Sequence, residues 1–210
     1  PNKWQWLQID RSGSNFTVSI DGVSVGTGSN AGSIMNAGAG LNFGTRSGQT
    51  AFYGYMSNFI MINGSTRGST AAPTSPLSST GAETKALLFQ SNNFVDNGSV
   101  GHTLTVTTAS KIQPFFPFKL TTSYDGYDHG GSVYFDGTTD YLIGPASYDF
   151  APGTSDYMLE LWWYPDDIST SSFFNIETGG LVLYYDGSTF RMDTRGGSNL
   201  INGTQAVPSH

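Results

Sequence analysis

The chain carries only three glutamates, Glu83, Glu160 and Glu177, and they bound the acid–base chemistry it can offer. Hydrolysis of a glycoside needs two carboxyl groups across one cleft, one to protonate the leaving oxygen and one to attack or to activate water. No glutamate has a second carboxylate two residues away, so the E-x-D-x-E strand that would aim both groups into one cleft is missing. Glu160 sits in YMLELWWY, where a period of two puts Met158, Glu160, Trp162 and Tyr164 on one face and Tyr157, Leu159, Leu161 and Trp163 on the other. The Glu160 face reads as mixed and half-exposed. Aromatic faces can stack on pyranose rings while carboxylates and amides take the hydroxyls. Trp4, Trp6, Trp162, Tyr164, Tyr184 and Tyr185 are the rings that could do so, although packing between sheets claims most of them, and Trp162, Tyr164, Glu160 and Tyr184 are taken as the candidate ligand-binding residues.

Other chemistry is thin. Residues 22–26, GVSVG, match the hydrolase pattern G-x-S-x-G, but that nucleophile needs a strained strand-to-helix elbow, whereas Ser24 follows an Asp21-Gly22 turn into a second strand. His102, His129 and His210 lie far apart and form no metal-ligand spacing. Asp125, Asp128, Asp136 and Asp140 flank glycine-rich turns in YDGYDHGG and FDGTTDY and are the candidate metal ligands, since carboxylate oxygens suit calcium. Aspartate and glycine are also the ordinary residues of such turns, and no D-x-D-x-D-G loop is present.

The elements that must position these residues are strands. No stretch of 11 or more residues repeats apolar positions at a helical spacing, while short alternating runs recur between Gly, Ser, Asn and Asp turns. Strands are expected within residues 4–25 (with turns at 11–15 and at Asp21-Gly22), 40–44, 52–62, 86–90, 102–107, 132–143, 157–164, 172–177, 181–185 and 189–194. About a dozen strands fit two packed antiparallel sheets. Residues 64–85, GSTRGSTAAPTSPLSSTGAETK, have little to bury and read as a linker or surface strap, a natural boundary.

Charged residues make up 12 % of the 210, so solubility comes mainly from hydroxyls and amides. A net charge of −7 with nine scattered Lys and Arg disfavours nucleic acid, which needs clustered cations. No apolar run approaches the roughly 18 residues of a membrane span, and residues 1–20 lack the regions of a signal peptide, so no membrane insertion is expected and any targeting segment lies outside this sequence. The absence of cysteine excludes disulfides and thiolate metal sites without fixing a compartment.

The run SVYFDGTTDYLI at residues 132–143 resembles the "sFDG..dYv" opening of laminin-G-like domains, which are concanavalin-A-like sandwiches. Residues 87–89, 135–141, 161–165 and 181–187 look like the front of that family's pattern; residues 6–22, 41–44 and 52–63 look like its back, which here comes first. The resemblance implies an all-β, two-sheet antiparallel jelly-roll sandwich of permuted strand order, with residues 1–65 as the back part, 66–85 as linker or strap and 86–210 as the front part. The chain then holds either the tail and head of successive modules in an array, or a permuted unit whose parts pair within one molecule or between copies. By the same resemblance the Trp162 face is the concave one, and calcium is the one cofactor to consider. The family's "GyiddvriYn" strand carries acids where GYMSNFIMING has Ser57 and Asn58, so functions that need those acids do not carry over.

The function this implies is a non-enzymatic structural or adhesive sandwich exposed on a virion, as capsid decoration, tail or fibre component, partnered by other copies of itself or other virion proteins and binding host glycans. The alternative is an extracellular carbohydrate-binding module of a bacterial adhesin or polysaccharide-degrading enzyme. A glucanase-like hydrolase stands third.

Overall fold

The computed structural model describes residues 3–34, 40–44, 51–107, 110–120, 123, 125, 130–167, 169–176, 180–194 and 199–203. Among them the regular structure is strand, apart from a single 3-10 turn at Tyr148–Phe150. The strands are β1 Gln5–Ser12, β2 Asn15–Ile20, β3 Val23–Ser29, β4 Leu41–Phe43, β5 Tyr53–Asn63, β6 Thr84–Leu88, β7 Thr105–Val106, β8 Lys111–Gln113, β9 Ser132–Asp136, β10 Leu142–Ile143, β11 Tyr157–Pro165, β12 Ser171–Ile176, β13 Leu181–Tyr185, β14 Phe190–Thr194 and β15 Asn199–Asn202.

They form two antiparallel sheets. The first runs β3-β2-β1-β11-β5-β9-β8, with β6 also on β5; the second runs β15-β14-β13-β12-β4-β10-β7. Strands from residues 1–65 and 86–210 pair with one another in both sheets within one molecule: β1 lies on β11, β5 between β11 and β9, and β4 between β12 and β10. Hairpin chemistry sets the local steps. Asp21 (φ 49°) and Gly22 (φ 82°) both take the left-handed backbone that a two-residue turn needs, and Asp21 Oδ1 accepts the Trp6 N–H at 2.8 Å.

The period of two decides the faces. Leu7, Ile9, Leu159, Leu161 and Trp163 of the first sheet enter one core with Phe43, Phe173, Phe174, Leu183 and Phe190 of the second. Rings lock the two layers together, with Phe43 on Phe59 at 4.7 Å and Trp163 on Phe173 at 5.0 Å between centroids. The outer face of β11 is left with Met158, Glu160, Trp162 and Tyr164.

Several expected boundaries move. Arg11, read from sequence as the start of a turn, belongs to β1 and is 1 % exposed, because its guanidinium donates to the carbonyls of Gly13, Asn30, Gly32 and Gly153. Only Thr105–Val106 of 102–107 is strand, since the His102 N–H is drawn to Asp96 Oδ2 instead. On β5 the register with β11 shifts between Glu160 and Trp162, and Asn58 there has φ 53°. This bulge falls where the far edge of β5 changes partner from β9 to β6.

Candidate functional site

Everything on the outer face of the first sheet follows from three registers. Across β1 and β11, Trp6 faces Trp162, Gln8 faces Glu160 and Asp10 faces Met158; across β11 and β5, Tyr164 faces Tyr55; across β5 and β9, Tyr55 faces Tyr134. Side chains directly opposite stand about 5 Å apart, so one end of this face is aromatic and the other polar.

At the aromatic end, Tyr55 is the hub. Its ring lies 4.9 Å from Phe115, 5.0 Å from Tyr134 and 6.0 Å from Tyr164, and Trp4 stacks 5.1 Å from Phe115. Tyr53 joins through Tyr134 at 6.2 Å. Tyr53 and Phe115 are 39 % and 38 % exposed, and Trp4, Tyr55, Tyr134 and Tyr164 are half-buried, so a continuous ring surface meets solvent. Burial, helped by the Tyr53 hydroxyl and by Asp166, pushes Tyr134 up to about 12, and burial with the Asp166 charge raises Tyr55 as well. Tyr55 and Tyr134 therefore stay protonated as donors at neutral pH, near the exposed carboxylate of Asp166.

The polar end is covered. Residues 64–83 cross this face, tied down by Leu77 N–H donating to Asn58 Oδ1 at 2.8 Å and by Arg67 Nη2 at 2.8 Å from Glu160 Oε1. Leu77 packs on a separate apolar cluster of Ile60, Ile62, Leu87 and Met158. Glu160 is 1 % exposed, and neither carboxylate oxygen has an aligned hydrogen bond. Burial, opposed by Arg67 and aided by the Asp10 charge, pushes Glu160 up to about 7. Asp10 is also raised, chiefly by burial, although Gln8 Nε2 donates to its Oδ2 at 2.7 Å.

The remaining candidates are dispersed. Tyr184 is on the second sheet, where its hydroxyl donates to Asp193 Oδ2 at 2.8 Å, so it does not join Trp162, Tyr164 and Glu160. Trp162 is half-buried between Trp6, at 5.4 Å, and Phe118, at 6.1 Å. Asp136 closes its own turn, its Oδ1 accepting N–H bonds from Thr138, Thr139 and Asp140 and its Oδ2 the two threonine hydroxyls. Despite some desolvation, these donors hold its carboxyl well below the usual range. Asp140 is buried and raised, by desolvation first and by Asp136 second. Asp125 is exposed, and Asp128 lies outside the described residues, as do His129, His210 and Glu177. Among the described residues no group of three or more His, Asp or Glu side chains converges on a metal-sized site. His102 is paired with Asp149 at 3.4 Å, and Ser24 lies within β3.

No protein-family model, curated protein or solved structure matches the chain. Sequence reasoning named Trp4 and Tyr164 but missed Tyr53, Tyr55 and Tyr134; the signal available was their alternation with core residues in FYGYM and VYF, which marks the outer face without saying which strands adjoin.

Proposed function

We propose that this chain is a non-catalytic jelly-roll sandwich of an exposed structural or adhesive protein, a virion component, that holds glycans on its Trp4–Tyr55–Tyr164 surface. The single observation that carries the glycan reading is the half-exposed ring network centred on Tyr55. Rigid phenol and indole faces accept the C–H faces of sugar rings, and phenol hydroxyls with Asp166 supply donors and acceptors for sugar hydroxyls. The non-catalytic reading is supported by the burial of Glu160 beneath residues 64–83, away from this surface. The virion setting follows from the laminin-G-like resemblance and the cysteine-free, Gly-, Ser- and Thr-rich composition.

A glycan array followed by calorimetry on the best ligand tests this. Wild type is expected to bind without releasing reducing sugar. The Tyr55→Ala, Tyr164→Ala double variant should bind at least about tenfold more weakly, as two ring contacts of about 1 kcal/mol each imply. Equal binding by that variant, with its circular dichroism unchanged, would remove the glycan surface from this face.

A further inference from the structure

The strap and the sheet do not meet flush. Residues 73–78 and the sheet face line a cavity of about 420 Å³ that opens to solvent on one side, within the size range of small-molecule sites. Its walls include Ile60, Ile62, Met158 and Leu77, with Arg67, Glu83 and Glu160 as the charged groups.

We infer that this cavity binds an organic cation, an ammonium or guanidinium on a short apolar stem, with the charge against Glu160 and the stem along Ile60, Ile62 and Met158. Three observations converge on that chemistry. Glu160 is 1 % exposed, yet among the described residues its one close cation is Arg67, which touches Oε1 from a rim position that is 31 % exposed, and Oε2 has no hydrogen-bond partner. A buried carboxylate in that condition is costly unless a donor reaches it. The charged lining is two carboxylates against one guanidinium, which repels anions and favours one further positive charge. The apolar wall is aliphatic, with no aromatic ring to stack a sugar. Arg67 shows that a guanidinium can reach Glu160, its Nη2 lying 2.8 Å from Oε1. This site is separate from the tyrosine surface and stands or falls without it.

Calorimetry and thermal melts at pH 8 with n-pentylamine and n-butylguanidine, against 1-pentanol and valerate, test the inference. The amines are expected to bind saturably and raise the melting temperature; the neutral and anionic controls should not. Glu160→Gln, which removes the charged partner, should weaken amine binding at least about tenfold. Ile62→Trp, which fills the cavity and keeps Glu160, should do the same and decides the matter if the Gln variant fails to fold. A short peptide bearing one Lys or Arg forms the second arm: binding by free amines assigns a small-molecule source, and binding by the peptide alone assigns a partner's side chain. Saturable binding by neither, or binding that survives Ile62→Trp, overturns the site.

Discussion

Arg67 Nη2 stands 2.8 Å from Glu160 Oε1, and this contact joins the strap to the centre of the first sheet. It offsets only part of what burial costs the carboxylate, whose affinity for its proton still rises from an ordinary value near 4.5 to about 7. Folding therefore favours the protonated form. The associated stability is fully present below pH 4.5 and is lost as pH rises through 7. Urea unfolding of wild type and Glu160→Gln should show the wild type losing, relative to the variant, on the order of 2 to 3 kcal/mol between pH 4.5 and 8. A pH-independent difference would mean that Glu160 is solvated.

Asp136 should behave in the opposite sense. Its carboxylate accepts five hydrogen bonds from its own turn and is held below the usual range, so its contribution is present at neutral pH and is lost as pH falls through and below the ordinary carboxylate values. Asp136→Asn is expected to cost about 1 to 2 kcal/mol at pH 7 and progressively less near pH 2. Because both oxygens already serve the turn, any effect of calcium on melting temperature should be the same in wild type and this variant. A calcium response lost only in the variant would restore Asp136 as a ligand.

What could be read in advance was local. YMLELWWY declares its two faces by alternation, and Asp21-Gly22 and Asp136-Gly137 declare turns through residues that tolerate positive φ. Neighbour relations were not legible, because the partners of β11 come from residues far away in sequence and the registers are fixed only when the core closes. The tyrosine surface inherits that limit: Tyr55, Tyr134 and Tyr164 lie on three strands that alternation alone cannot order. Short strands such as β8 and β15 carry too few residues to show a period. Residues 64–85 look empty of apolar content, yet Leu77 packs on Ile60, Ile62 and Met158 and, with the Arg67–Glu160 contact, helps to seat them.

The edges of the two sheets meet at β3 and β15, and two glycines make the approach possible. A Cβ on Gly28 would lie 1.8 Å from the Leu200 carbonyl oxygen, whereas one on Gly26 would meet the Ile201 side chain at 2.8 Å and backbone no nearer than the Gly203 Cα at 3.1 Å. Backbone cannot yield as a side-chain methyl can. Gly28→Ala should therefore cost about 2 to 3 kcal/mol by overpacking and Gly26→Ala distinctly less. Guanidinium midpoints give the ranking, and faster amide exchange in β15 of the Gly28 variant would locate the damage. Equal costs would mean that the edges separate freely.

Arg11 closes the neighbouring end of the core in an unusual way for a cation. It is 1 % exposed, its ring neighbour Phe16 lies 5.2 Å from the guanidinium carbon, and it donates to four backbone carbonyls in three separate segments. A planar fork of five N–H donors can reach several acceptors at once, which a lysine ammonium cannot do from one point. Arg11→Met would leave those carbonyls without their donor and should cost about 3 kcal/mol or more, and Arg11→Lys should recover little of it. Limited proteolysis should then find new cleavage near residues 30–32 in both variants. Full recovery by lysine would show that charge alone, rather than the fork, holds the segments together.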